Sequence, residues 1–159
     1  MADFDSFYRA NYARLVRVLW KLCRSTEAAE ELAQDAFAAA HRNWPRVGRY
    51  ESPWAWVRLV AIRRARSRFR RTLVELRLRG RAMSSPETQW PIESDVDLWR
   101  AVGRLSRRQR EVIVLMYVEG LTAIEAANAL GCSEATVRTH ARRAIEALQQ
   151  RVSDSSESS

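Results

Sequence analysis

Residues Leu121–Leu148 read LTAIEAANALGCSEATVRTHARRAIEAL, and their spacing decides the fold of the second half of the chain. Thr122 and Glu125 stand three apart ahead of an apolar run, the capping-box signature of a helix start, so a short helix is expected to reach Leu130. Gly131, Cys132 and Ser133 supply a three-residue turn, and Ser133 caps a second helix expected to run to about Val152. A short helix, a glycine-containing turn and a longer basic helix make a helix-turn-helix. The second helix of such a motif enters the major groove of DNA. Val137, Ala141, Ala144, Ile145 and Leu148 fall on one face, which turns Thr136, Arg138, Thr139, Arg142 and Arg143 away from the core. An arginine donates two hydrogen bonds to a guanine edge, and a good bidentate pair discriminates by about 1–3 kcal/mol. A plain helical hairpin with a solvated arginine face is the competing reading of the same residues.

Upstream of this motif, Ser106 and Gln109 form another capping box, opening a helix that buries Val112, Ile113, Leu115 and Met116. Gly120 ends it, and the helical pattern begins at Val96. Between Arg79 and Asp95 the sequence RGRAMSSPETQWPIESD breaks every periodicity with Gly80, Pro86 and Pro91, so it reads as a linker. Beyond Val152 the polar run SDSSESS has nothing to bury and reads as a disordered tail. No strand pattern occurs. The fold class expected is all-α: two small helical domains, residues 1–78 and 96–152, joined by a flexible linker over 79–95.

In the first half, Phe4, Phe7, Tyr8, Tyr12, Leu15, Val16, Leu19, Trp20 and Cys23 recur at helical spacing over residues 3–24. A second helix is expected from Thr26 to Trp44, with Ala29, Leu32, Ala33, Ala36, Phe37 and Ala40 inward and acidic residues enriched where the helix dipole favours them. Pro45 and Gly48 then force a loop. Ser52 as N-cap and Pro53 at the first helical position open the stretch PWAWVRLVAIRRARSRFRR, Pro53–Arg71. Trp54, Val57, Ala61 and Ala65 share one face of it. Trp56, Leu59, Arg63, Arg66 and Arg70 form a second stripe ending in cations.

Charge separates this helix from an ordinary solvated one. From His41 to Ala82 thirteen arginines face only Glu51 and Glu75, a net +11 in a chain whose total is +8. The positive charge is therefore concentrated in one place, as a footprint for phosphate would be. Trp44, Tyr50 and Trp54 are the rings near the preceding loop, and each is more often a core residue than a platform for a base.

Composition excludes several other classes. The longest apolar run, Val112–Val118, is far too short to span a membrane, and the acidic, aromatic N-terminus lacks the pattern of a signal peptide, so a cytoplasmic protein without membrane insertion is expected. Cys23 and Cys132 are isolated and His41 and His140 are the only imidazoles, which gives neither a disulfide framework nor a zinc site. Without a Gly-rich phosphate loop, a paired His and carboxylate or metal-ligand spacing, no cofactor, no metal and no catalytic residue is expected.

The helix-turn-helix sequence resembles both the C-terminal domain of sigma factors and that of response-regulator output domains. The first half decides between them. AEELAQDAFAAAHRNW (Ala29–Trp44), a loop and WAWVRLVAIRRARSRFRR (Trp54–Arg71) resemble region two of extracytoplasmic-function sigma factors of bacterial RNA polymerase. LSRRQREVIVLMYVEGLT (Leu105–Thr122) with the helix-turn-helix resembles their region four. A response-regulator-like activator leaves the concentration of arginine in the first half without a role.

The resemblance implies a division of labour. The helix carrying Glu30, Glu31, Gln34 and Asp35 would dock on the β′ clamp coiled coil of core RNA polymerase. The loop from Pro45 to Glu51 and the helix after it, with Tyr50, Trp56, Arg63, Arg66 and Arg70, would melt and read the −10 element, holding single-stranded promoter DNA. Thr136, Arg138, Thr139, Arg142 and Arg143 would read the double-stranded −35 element. Family members are commonly held inactive by an anti-sigma factor wedged between their two domains, which adds such a protein to the expected partners. Two positions depart from the family pattern: Arg63 stands where asparagine is usual, and Ser67 where an acidic residue often follows. Asparagine both donates and accepts, whereas arginine only donates, so a −10 preference different from the usual one is expected.

Overall fold

The computed structural model describes residues 3–80 and 96–157, and the chain divides into two compact units, Met1–Glu87 and Thr88–Ser159. All regular structure among the described residues is helical. Most of the expected linker, residues 81–95, lies outside the described residues, as do 158–159.

The first unit is built on three long helices. α1 (Phe4–Cys23) starts at Asp3, whose carboxylate accepts from the Ser6 N–H, and stops at Arg24, left-handed at φ 56° and donating its N–H to the Trp20 carbonyl. Ser25 caps α2 (Thr26–Arg42) immediately, so the two helices are joined by the tightest of links. α2 buries Ala29, Ala33, Ala36, Ala39 and Ala40 around Leu32 and Phe37. Small side chains on that face let α1 and α4 (Pro53–Leu78) approach closely and close a core with Leu15, Leu19, Val57, Ala61 and Ile62.

The sequence carries α2 on to Trp44; the structure ends it at Arg42. Asn43 leaves helical geometry and ties its side-chain amide to the Ala39 carbonyl at 2.8 Å. Pro45 is the physical reason, since it has no N–H to donate to the carbonyl four residues back and its ring would clash there if α2 ran on. The chain restarts as the single turn α3 (Trp44–Val47). Gly48 follows because a Cβ there would lie 3.0 Å from both the Trp44 ring and its carbonyl.

α4 opens as its sequence predicts, with the Ser52 hydroxyl accepting from the Ala55 N–H at 3.1 Å and Pro53 in the first turn. Val57, Ala61 and Ile62 are buried, while Trp54, Val60 and Ala65 on the same side are half-buried.

In the second unit, α5 (Val96–Gly103) and α6 (Arg107–Ile113) lead into a π-helical segment, Val114–Val118. Both halves of the Ser106–Gln109 capping box form, as do both halves of Thr122–Glu125 at the start of α7 (Ala123–Leu130). The sequence predicts a continuous α-helix up to Gly120. Instead the Glu119 N–H reaches back five residues to Val114 and the Leu121 N–H six residues to Leu115. The widened turn keeps Val114 and Leu115 buried and leaves Tyr117 and Val118 outside. Gly131, at φ 64°, then terminates α7, with the Cys132 N–H closing on the Ala127 carbonyl in a left-handed helix ending.

α8 (Glu134–Glu157) packs Val137, Ala141 and Ala144 against α6 and α7, and Ala144 shares a core with Val102, Leu105 and Ile113. It continues past Val152, where the sequence places its end. The Ser153 and Ser156 hydroxyls donate to the carbonyls of Gln149 and Val152 four residues back, which satisfies these polar side chains within the helix.

Candidate nucleic-acid interface

The turn before α8 fixes where its basic face points. Ser133 accepts the Thr136 N–H at 3.1 Å and its hydroxyl lies 2.8 Å from that of Thr136, so the first turn is anchored before the arginines begin. Arg138, Arg142 and Arg143 are exposed, as their spacing predicts. The two threonines are different: both are half-buried, and the Thr139 hydroxyl donates to the Ala135 carbonyl at 3.0 Å. They shape the helix surface more than they extend from it.

Arg138 is held. Its Nε and Nη2 donate to Glu134 Oε1 at 3.1 and 2.6 Å, one turn back along the same face. Among the described residues no carboxylate holds Arg142 or Arg143 in this way.

His140 lies among cations. Burial lowers its pKa below 6.5, and the positive charges of Arg108 and Arg143 lower it further. Arg108 is itself drawn to Glu111, a buried carboxylate that also faces Arg107, both at 3.3 Å. Because the folded state holds the His140 proton less tightly than the unfolded chain, the stability linked to it is complete above pH 6.5 and declines as pH falls through that value, levelling off below the folded pKa. The second unit is therefore expected to melt at a lower temperature at pH 5.5 than at pH 7.5, with His140→Gln removing that part of the difference. An unchanged pH dependence in the variant would show that His140 does not contribute.

On α4, Arg63 and Arg70 are exposed and Arg66 is half-buried, and Trp56 at the head of that stripe is half-buried. Arg64 and Arg71 extend the exposed cationic surface. Of the rings near the loop, Trp44 is closed off: it packs on Phe4 and Phe7 with centroids 5.3 and 5.0 Å apart. Trp54 carries the Arg14 guanidinium over its ring at 4.1 Å, an attraction between a cation and the negative aromatic face. Tyr50 is 39% exposed and is the ring of the three most open to a base.

Glu30, Glu31, Gln34 and Asp35 are all exposed on one side of α2. Gln34 borders a groove floored by Phe4, Tyr8 and Phe37. Glu31 is bridged to Arg68 of α4, a contact between residues 37 apart in sequence that no local pattern signals. Arg14 over Trp54 is a second contact of this kind.

Two helical units, one with an arginine-faced helix after an aromatic loop and one with a helix-turn-helix, are the architecture of a DNA-binding protein. Comparison with known proteins gives the family. The Sigma-70 region 2 family matches residues 7–73 and the Sigma-70, region 4 family residues 95–148. The chain is 30% identical over 163 residues to the ECF RNA polymerase sigma factor SigK of Mycobacterium sp. (strain KMS), covering 92% of this chain and 83% of that protein. It is 25% identical over 148 residues to the ECF RNA polymerase sigma factor SigM of Mycobacterium tuberculosis, covering 89% and 72%. Its fold matches the sigma factor RpoE of Bartonella quintana, solved in complex with the anti-sigma factor NepR, with a TM-score of 0.75 at 24% identity over 96% of this chain and 98% of that one. The chain belongs to the extracytoplasmic-function sigma factors of the sigma-70 superfamily. Sigma factors are initiation factors and not enzymes. Among the described residues no helix is long and apolar enough to cross a membrane, and no His, Cys, Asp and Glu cluster could hold a metal ion.

Proposed function

We propose that this protein binds bacterial core RNA polymerase in the cytoplasm and directs it to promoters, α8 reading a −35 element and α4 with its preceding loop opening and reading a −10 element. The observation that carries the reading is the presence, in order on one chain, of both sigma regions, each with a helix that exposes arginines. The exposed side of α2, with Glu30, Glu31, Gln34 and Asp35, is the surface offered to the polymerase β′ subunit.

The physical parts suit the task. Arginine contacts to phosphate supply salt-sensitive affinity independent of sequence. An unstacked base captured beside the loop recovers about 1–3 kcal/mol by stacking on an aromatic ring, comparable with the few kcal/mol that unstacking costs. Tyr50 is the ring assigned to that capture, and Trp56 with Arg63, Arg66 and Arg70 the surface that follows the strand. An anti-sigma factor is the further partner this reading admits; the RpoE structure that shares the fold holds one.

Replacing Arg63 and Arg70 together by alanine tests the −10 assignment. The salt dependence of promoter binding by the holoenzyme should become shallower by about two units of slope, one per lost phosphate contact. Permanganate reactivity of thymines around the −10 element should fall with it. A slope and an opening signal equal to those of the unaltered protein would remove α4 from the DNA.

A further inference from the structure

We propose that Glu134 is a specificity-determining residue: it fixes the orientation in which Arg138 meets DNA and so restricts that arginine to reading a guanine. The inference rests on the assignment of α8 as the −35-reading helix.

The geometry assigns the two edges of the guanidinium to different partners. A guanidinium carries five N–H donors, on Nε, Nη1 and Nη2. Glu134 Oε1 takes the side edge, accepting from Nε at 3.1 Å and from Nη2 at 2.6 Å. The end edge, formed by Nη1 and the second hydrogen of Nη2, remains for a ligand, and it matches the paired O6 and N7 acceptors of guanine in the major groove. Glu134 stands one turn N-terminal to Arg138, the favourable order for such a pair on a helix. Its charge also suits the first turn.

Two consequences favour specificity over bare affinity. An unheld arginine loses rotamer freedom when it binds, and holding it beforehand removes part of that cost for the one geometry the clamp allows. An unheld arginine is also free to swing to a phosphate, which adds affinity without sequence information. The Glu134 carboxylate opposes that swing by its hydrogen bonds, and its negative charge repels a phosphate that approaches the same edge of the guanidinium. The Arg138 side chain is 66% exposed while so held, so the clamp orients it without withdrawing it from DNA. Arg142 and Arg143, on the same face and not held by a carboxylate among the described residues, are suited to phosphate as well as base.

The experiment is selection by holoenzyme from a pool of promoter duplexes randomised through the upstream element, sequencing what is bound by the unaltered protein and by the Arg138→Ala, Arg142→Ala and Glu134→Gln variants. Arg138→Ala identifies the guanine position that belongs to Arg138. Glu134→Gln is expected to lower the preference for guanine at that position by about fivefold or more, to leave the position lost in Arg142→Ala unchanged, and to raise affinity for non-promoter duplex. If Glu134→Gln keeps the full guanine preference, the inference is overturned while the −35 assignment of α8 stands. If it weakens every position equally, Glu134 merely supports the helix and the inference is likewise overturned. If the unaltered protein selects no upstream sequence, the assignment of α8 fails and the inference with it.

Discussion

Arg138→Ala combined with Arg142→Ala is expected to abolish promoter-specific transcription while leaving the protein folded. Both side chains are exposed on α8 and neither contributes to the core formed by Val137, Ala141 and Ala144. Each bidentate contact to a guanine is worth about 1–3 kcal/mol, so losing two weakens the −35 interaction roughly thirtyfold at the least. Competition binding with matched and mismatched −35 duplexes, alongside run-off transcription, measures the effect. The decisive quantity is the ratio between matched and mismatched DNA, which should approach one. Equal weakening on both duplexes would mean that these arginines touch only phosphate and that sequence is read elsewhere.

Phe37→Ala is expected to unfold the first unit at or near physiological temperature. Phe37 is 2% exposed and lies among Phe7, Tyr8 and Tyr12, with ring centroids 5.1 to 6.1 Å away. Emptying such a site costs about 3–5 kcal/mol, a large share of the ~5–15 kcal/mol that holds a typical domain together. Calorimetry of the full chain should show the transition of the first unit displaced strongly downward and that of the second unit in place. A loss below about 1 kcal/mol, the size of an average point substitution, would mean that the aromatic cluster does not organise this unit.

Local chemistry made most of the fold legible. Ser52 with Pro53, Ser106 with Gln109, Thr122 with Glu125, and Gly131 in the turn each specify a helix end through bonds within a few residues, and each end lies where its sequence places it. The inward faces of α4 and α8 follow from helical spacing alone. The break at Asn43 is of a different kind: the signal, Pro45, is present, but it acts on residues before it, and the apolar pattern runs through undisturbed. The π-helical turn over Val114–Val118 leaves no mark in the sequence, because an unbroken apolar run suits either winding.

The site was legible to the level of helix faces and no further. Exposure of Arg63, Arg70, Arg138, Arg142 and Arg143 follows from periodicity. The pairing of Arg68 with Glu31 and of Arg14 with Trp54 depends on helices brought together by the core, so neighbours in sequence carry no trace of it. Trp44 illustrates the converse, since its place beside the loop suggests a platform for bases and its packing on Phe4 and Phe7 removes it. Glu134 and Arg138 are four apart on one helix, so their pairing is a local one that the sequence spacing carries.

Reconstitution with core RNA polymerase tests the central claim most directly. The purified chain, added to core enzyme and a promoter library, is predicted to form a stable complex and to start transcripts only at templates that carry both a −35 and a −10 element. A chain that neither binds core enzyme nor starts a transcript on any template would contradict the account.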